Sequence, residues 1–282
     1  MDKLRHINPE VPQYLQYCQH KLNLASHQMR ILDYGCGAGN STLSLRLSGY
    51  EAFGVDIDEK AVLEGQELLN EHGLDGKSIL SAFRENTPIP FPDHTFHFVM
   101  SQEVLEHVSD ISSVSRELRR ISAPDGMGFH VYRPQYNLLE QHFHMPFVHW
   151  LPKNKLRKLA ILAFAYMGLG LHPREIPGAG PRERAEFLYQ FSVNQTFYRP
   201  YWVIGSAFRQ NGMGVCFPAT NHRKLRKSRI ISRLLDFPVL DKLLNSLVIT
   251  FHNAYLLTQT PDEKGILKGQ IQLGSWKSNF LL

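Results

Sequence analysis

A run of apolar residues that breaks into glycines, Ile31-Leu32-Asp33-Tyr34-Gly35-Cys36-Gly37-Ala38-Gly39, constrains this chain more than any other stretch. The apolar half reads as a buried strand and the glycines as its turn into a helix, which puts the turn at the carboxyl edge of a sheet, where a ligand can lie. Glycine takes positive φ and lacks the Cβ that would hold a ligand off the backbone. A second strand, Ala52-Phe53-Gly54-Val55-Asp56, ends on a carboxylate suited to the two hydroxyls of a ribose, and Ile57 follows where it can lie against a purine. Asn40 stands where a dinucleotide fingerprint wants its third glycine, which argues against a nicotinamide cofactor.

From residue 30 to 134, short β-branched or aromatic runs alternate with stretches of 3.6-residue apolar period, the rhythm of a parallel sheet with helices on both faces. The class is α/β, with strands expected at 30–34, 52–56, 78–82, 96–101 and 128–132 and helices at about 41–47, 59–72 and 111–121. Pro9 and Pro12 suit the first turn of a leading helix over 9–25. Beyond Pro134 the rhythm stops, and 135–195, rich in His, Pro and Gly around an apolar helix at 156–169, reads as a helical cap. It resumes over 196–260, with a helix at 198–211, a strand at 214–217 and a last strand near 247–258, the two strands separated by a basic insertion at 218–245. The remaining units are an N-terminal segment, 1–29, and a polar, loosely held tail, 261–282.

Three scattered cysteines, Cys18, Cys36 and Cys216, suit neither a disulfide framework nor a zinc cluster and fit a reducing, cytoplasmic setting. The start lacks a signal-peptide apolar run, and the longest nearly pure apolar run, 159–171, would reach only about 20 Å as a helix against a bilayer core of roughly 30 Å. Residues 1–134 hold 12 Lys and Arg against 18 Asp and Glu, so the other 19 cations and 8 anions fall in 135–282, which is strongly basic. That half suits an anionic substrate, a lipid headgroup surface or a nucleic acid.

The glycine loop, Gly54-Val55-Asp56-Ile57-Asp58, the stretch from Pro90 to Val99, Ser101 to Val108 and the Arg119 to Gly128 turn together resemble the class I S-adenosylmethionine-dependent methyltransferases. The resemblance covers 30–134 and implies a Rossmann-like, seven-stranded, mostly parallel sheet with helical insertions after the fifth and sixth strands. It also implies S-adenosylmethionine as cofactor, its methionyl end held by Asp33, its length lined by the backbone of Gly35, Cys36 and Gly37, and its ribose held by Asp56. Glu85 and Asn86 are the nearest candidates for the acidic residue that faces the adenine amino group in that family. His97 departs from the Asp usual in the family's Phe-Asp pair.

The fourth strand delivers Ser101, Gln102 and Glu103 to the same edge, beneath the expected methyl position. No Asn/Asp-Pro-Pro-aromatic motif for base-amine methylation stands here, and none of the cysteines follows a proline as in pyrimidine C5 chemistry. Instead Glu103, Glu106 and His107 are spaced to share one face of a helical turn. That set suits a divalent cation, or a general base at His107 oriented by a carboxylate, and equally a helix start with a capping carboxylate and a packed histidine. The block is similar to that of the ubiquinone-type O-methyltransferases, which favours oxygen as the methylated atom. His142, His144 and His149 cluster in the cap, and no residue is assigned as a metal ligand. Arg133 and Tyr136, just past the fifth strand, are candidates for holding an anionic or polar acceptor.

The expected activity is methyl transfer to a small-molecule or lipid-linked acceptor. The alternatives are an RNA or tRNA methyltransferase using the basic half as a phosphate track, and a non-catalytic cofactor-binding or partner-binding module. Segments 156–171 and 223–245 combine cations with apolar stretches and are candidates for contact with the inner face of a membrane.

Overall fold

The computed structural model describes residues 6–85, 87–171, 173, 175–218, 227–267, 270–273 and 276–279. Asn86 and the cations Arg223, Lys224 and Arg226 lie outside the described residues. Strands β1 (Arg30–Tyr34), β2 (Glu51–Asp56), β3 (Leu80–Ala82), β4 (Phe96–Gln102) and β5 (Ser122–Tyr132) pair in parallel. With β8 (Gly214–Cys216) and β9 (Ala254–Gln259) they form a seven-stranded sheet in the order β3-β2-β1-β4-β5-β9-β8. β9 runs antiparallel to both of its neighbours. The order reverses between β1 and β4, which opens a crevice at their carboxyl ends.

Residues that alternate along each strand feed two cores. Ile31, Phe98, Met100 and Phe129 pack under helix α1 (Val11–Leu22), through Tyr14, Leu15 and Cys18, and under α2 (Asn40–Leu47), through Leu45. Leu32, Phe96, Val99 and Tyr132 face the other way, toward α5 (Ile111–Ile121), α8 (Tyr201–Gln210) and, beyond the short α9 (Arg229–Leu234), α10 (Pro238–Phe251). Both faces are thus covered by helices. Helix α3 (Glu59–Glu71) and the short α4 (Gly76–Ile79) close the β3 edge through Val62, Leu69 and Ile79.

The cap follows β5. It holds a two-stranded ribbon, β6 (Leu139–Glu140) with β7 (Met145–Pro146), and two packed helices, α6 (Lys155–Tyr166) and α7 (Pro181–Asn194). Phe143, Met145, Val148, Ile161, Ala165, Ala185 and Leu188 give it an apolar cluster of its own.

Several elements differ from the sequence reading, among them β5, which begins at Ser122 and not at 128. The strand expected near 247–258 starts only at Ala254, because the preceding Leu-Val-Ile-Thr-Phe continues the apolar period of α10 until His252-Asn253 breaks it. The strand expected at 78–82 begins at Leu80, its first residues being taken by α4. The tail, read as loose, contains an antiparallel pair, β10 (Gln270–Leu273) and β11 (Trp276–Asn279). Among the described residues no helix is long and apolar enough to cross a membrane.

Candidate active site

β1 ends at Gly35, which turns at φ +77° and donates its N–H to the Val55 carbonyl at 2.8 Å. A Cβ there would lie 2.3 Å from Val104 Cγ2, so both the dihedral and the space demand glycine. Gly37 sits at φ +50° with open space where a Cβ would stand. Its N–H donates to Asp56 Oδ2 at 2.7 Å, while Asp56 Oδ1 accepts from the Asp58 N–H at 2.9 Å. The carboxylate at the end of β2 therefore braces the loop, and each of its oxygens keeps a further lone pair.

A cavity of about 400 Å³ opens along this edge. Gly35, Gly37, Asp56 and Ile57 line it beside Phe83 and Glu85, and Gln102, Glu103 and His107 line its other end. Gln102 also ties the N-terminal segment down, accepting from the Asn8 N–H at 2.5 Å and donating to Ser41 Oγ at 3.0 Å. Glu85 accepts a hydrogen bond from the Ser109 hydroxyl.

At the reaction edge the backbone departs from a helical turn. Glu103 takes φ +59°, a left-handed conformation that costs a residue with a Cβ on the order of 1 kcal/mol. Glu103, Glu106 and His107 consequently do not share one face. Glu103 Oε2 is clamped by Arg133, with Nε at 2.9 Å and Nη2 at 2.7 Å. Glu106 turns inward, 1% exposed, with neither carboxyl oxygen in a hydrogen bond of standard geometry, and burial pushes its pKa up to about 8. His107 stays at the cavity wall. Its Nδ1 lies 2.5 Å from the Gln195 carbonyl, which makes Nδ1 a donor, and its Nε2 faces His142 Nε2 at 3.1 Å. His142 Nδ1 in turn meets Glu140 Oε1 at 2.8 Å and the Tyr198 hydroxyl at 2.7 Å. Burial lowers the pKa of His107 and favours its neutral form. Burial also opposes the charge of Glu140, but hydrogen bonds from His142 and Tyr198 outweigh it and hold that carboxyl below its ordinary range.

Several residues singled out by sequence stand elsewhere. Asp33 is buried beneath the loop, accepting from Thr42 Oγ1 at 3.0 Å, and burial raises its pKa to about 7. The Cys36 side chain packs against β2 at Gly54. Ser101 points into the core and shares a hydrogen bond of 2.8 Å with His130 Nδ1. Arg133 is spent on Glu103 and on Asn253 Oδ1 at 3.0 Å, and Tyr136 packs between Trp150 and Trp202. None of these six, Glu106 included, is among the residues lining the cavity. The cap histidines do not converge either: His142 joins His107, His144 is exposed and His149 is buried. Among the described residues no group of three His, Cys, Asp or Glu is placed to hold a metal. Phe83, Gln195 and Phe197 line the cavity without having been singled out. Phe83 follows the end of β3 and was accessible to the rule that strand ends line such crevices, whereas Gln195 and Phe197 return from the cap with no local signal.

Residues 32–129 match a family model described as a methyltransferase domain. Residues 32–129 thus form a domain of the class I S-adenosylmethionine-dependent methyltransferase type. An uncharacterized methyltransferase, YcgJ of Bacillus subtilis, is 30% identical over 114 residues, covering 40% of this chain and 44% of that protein. The ubiquinone biosynthesis O-methyltransferase of Methylococcus capsulatus is 30% identical over 130 residues, 45% of this chain and 52% of that protein. The chain thus spans about half the length of these curated relatives. Among solved structures, PKMT2 from Rickettsia typhi superposes with a TM-score of 0.53 at 13% identity, over 90% of this chain and 52% of that one, a likeness of fold.

The cavity fits S-adenosylmethionine. The bare face of Gly37, the carboxylate of Asp56 with unspent lone pairs, and apolar walls at Ile57 and Phe83 supply close backbone approach, a ribose acceptor and surfaces for a base. The volume falls in the usual range for small-ligand sites, about 300–1,000 Å³.

Proposed function

We propose that this protein transfers a methyl group from S-adenosylmethionine to the oxygen of a small-molecule or lipid-linked acceptor. The observation that carries this reading is the continuity of one cavity from Gly35, Gly37 and Asp56 to Glu103 and His107. When bound, the cofactor supplies an electrophilic methyl carbon. Asp56 would accept from the ribose hydroxyls, Ile57 and Phe83 would flank the base, and Glu85 would face its polar edge. The cap segment carrying Gln195 and Phe197 closes the far wall and excludes water from the reacting atoms. Proton removal falls to His107, which accepts at Nε2 once the facing His142 ring gives way, with the Glu103 carboxylate beside it. Oxygen is favoured over nitrogen or carbon by the name of the Methylococcus relative and by a neutral imidazole at the reaction edge.

The test is labelled-methyl transfer into fractionated extract with separate lipid, nucleic-acid, protein and small-molecule pools. Label in the lipid or small-molecule pool is expected, and label confined to RNA overturns the acceptor class. With an acceptor in hand, His107→Ala is expected to lower kcat about 10²- to 10³-fold while the affinity for S-adenosylhomocysteine changes less than about threefold. An equal fall in cofactor affinity would assign His107 to binding instead.

A peripheral location at the cytoplasmic face of a membrane is part of the same reading. Helix α6 packs through Ile161 and Ala165 but exposes Leu156, Leu159 and Tyr166. α10 buries only Ile249 and exposes Val239, Leu243 and Leu247, and Lys227, Arg229 and Arg233 precede it in the chain. An apolar row rimmed by cations suits an anionic lipid surface. The protein is expected to sediment with vesicles containing anionic phosphatidylglycerol and to be released by salt, whereas equal binding to neutral vesicles would remove the electrostatic part of the argument.

A further inference from the structure

A second cavity, of about 460 Å³, lies in the cap and shares Phe197 with the first. Lys153, Arg157 and Arg199 line it, together with His149 and Tyr198. All the hydrogen bonds recorded for these cations go to neutral carbonyls. Lys153 donates to the Val193 and Thr196 oxygens at 2.7 and 2.6 Å, Arg157 to Leu151, His149 and Ser192, and Arg199 to Val108, Phe197 and Ser109. Among the described residues none of the three forms an ion pair with a carboxylate.

Such an arrangement is costly unless something offsets it. Arg157 is 5% exposed, and the pKa of Lys153 is lowered by burial and then by repulsion from Arg157 and Arg199, so the three charges act on one volume. His149 is 3% exposed, and neither of its ring nitrogens forms a hydrogen bond of standard geometry. Burial lowers its pKa to about 4, so it is neutral and has one N–H donor, for which the nearby Asn137 carbonyl competes. Unspent donors remain as well: Lys153 has three N–H groups and each arginine five, more than the carbonyls consume.

We propose that this cavity binds a phosphoryl group, held by Lys153, Arg157 and Arg199 and by the N–H of His149. Donors on four side chains suit the oxygens of a tetrahedral dianion, which also neutralises most of the uncompensated charge. The segment that forms the wall faces both ways. Gln195 gives its carbonyl to His107 on the cofactor side, while Tyr198 and Arg199 face the phosphoryl side.

The test is phosphorus NMR and calorimetry on the full chain at fixed ionic strength, titrating inorganic phosphate in one arm and a short-chain phosphatidic acid below its micelle concentration in the other. Saturable binding is expected in at least one arm, and the tighter arm identifies a free phosphate or a lipid headgroup as the source. Lys153→Met should weaken it tenfold or more and Lys153→Arg less than about threefold, both binding S-adenosylhomocysteine as the wild type does. Absence of saturation in both arms, or equal affinity in Lys153→Met, overturns the proposal. Because S-adenosylhomocysteine is measured on the same samples, failure of the phosphoryl site and failure of the cofactor reading give different results.

Discussion

Replacing Asp56 with alanine is expected to weaken binding of S-adenosylhomocysteine about a hundredfold or more, measured by calorimetry on the purified chain. The residue acts twice. Its unspent lone pairs are the ribose acceptors, and each hydrogen bond to a charged group contributes about 1.5–3 kcal/mol. Its occupied lone pairs hold the Gly37 and Asp58 N–H groups at 2.7 and 2.9 Å, so its removal also frees the loop that must approach the cofactor. Asp56→Asn separates the parts: the amide keeps one acceptor oxygen but brings an NH2 against one of those N–H groups, so an intermediate loss of about tenfold is expected. If both variants bind S-adenosylhomocysteine like the wild type, Asp56 does not hold the ribose and the orientation of the nucleoside in the cavity is wrong.

Glu106→Gln is expected to make the protein more stable in alkaline solution while leaving it nearly unchanged in acid. Burial raises the Glu106 pKa from an ordinary 4.5 to about 8, the nearby Glu106 and Arg133 N–H groups opposing it only in part, and neither oxygen has a hydrogen bond of standard geometry. Below about pH 4.5 the folded and unfolded chains both carry the proton and no pH slope arises. Between there and about pH 8 the folded protein keeps a proton that the unfolded chain has released, so rising pH favours unfolding. Above about pH 8 the buried carboxylate is charged and the penalty, on the order of 3–5 kcal/mol, is complete. Glutamine has the same shape and no charge to bury. The fall in Tm between pH 5 and pH 9 should therefore be smaller in the variant by about 5 °C or more. Asp33, raised by burial to about 7, adds a similar slope that remains in both proteins. Parallel melting curves would mean that Glu106 reaches water or a counter-charge in solution.

What could be read from the residues alone was whatever a short stretch dictates by itself. The turn from β1 into α2 was legible because Gly35 and Gly37 adopt backbone angles and approaches that leave few alternatives to glycine, and Asp56 because a strand end fixes where its side chain emerges. The same local logic misled at β4. Ser101 and Gln102 are neighbours on a strand, so only one of them can face the cavity, and it is Gln102. Glu106 was placed beside Glu103 by helical spacing, which the left-handed Glu103 abolishes. Arg133 was read as a candidate for holding an anionic or polar acceptor, but the bend at Glu103 brings it a carboxylate. The partner of His107 lies 88 residues away at Gln195, and nothing near either residue announces the pairing.

The antiparallel β9 has a bearing on how the molecule assembles. Met127 to Tyr132 of β5 pair with Ala254 to Gln259, and β8 pairs only with β9, so the sheet is completed from its middle by the strand made last. During synthesis β5 must wait as an open edge, apolar on both faces, until more than a hundred further residues have emerged. A fragment cut at the limits of the methyltransferase match, 32–129, would keep that edge bare permanently, and it would tend to stick to its own copies rather than report on the behaviour of the intact chain.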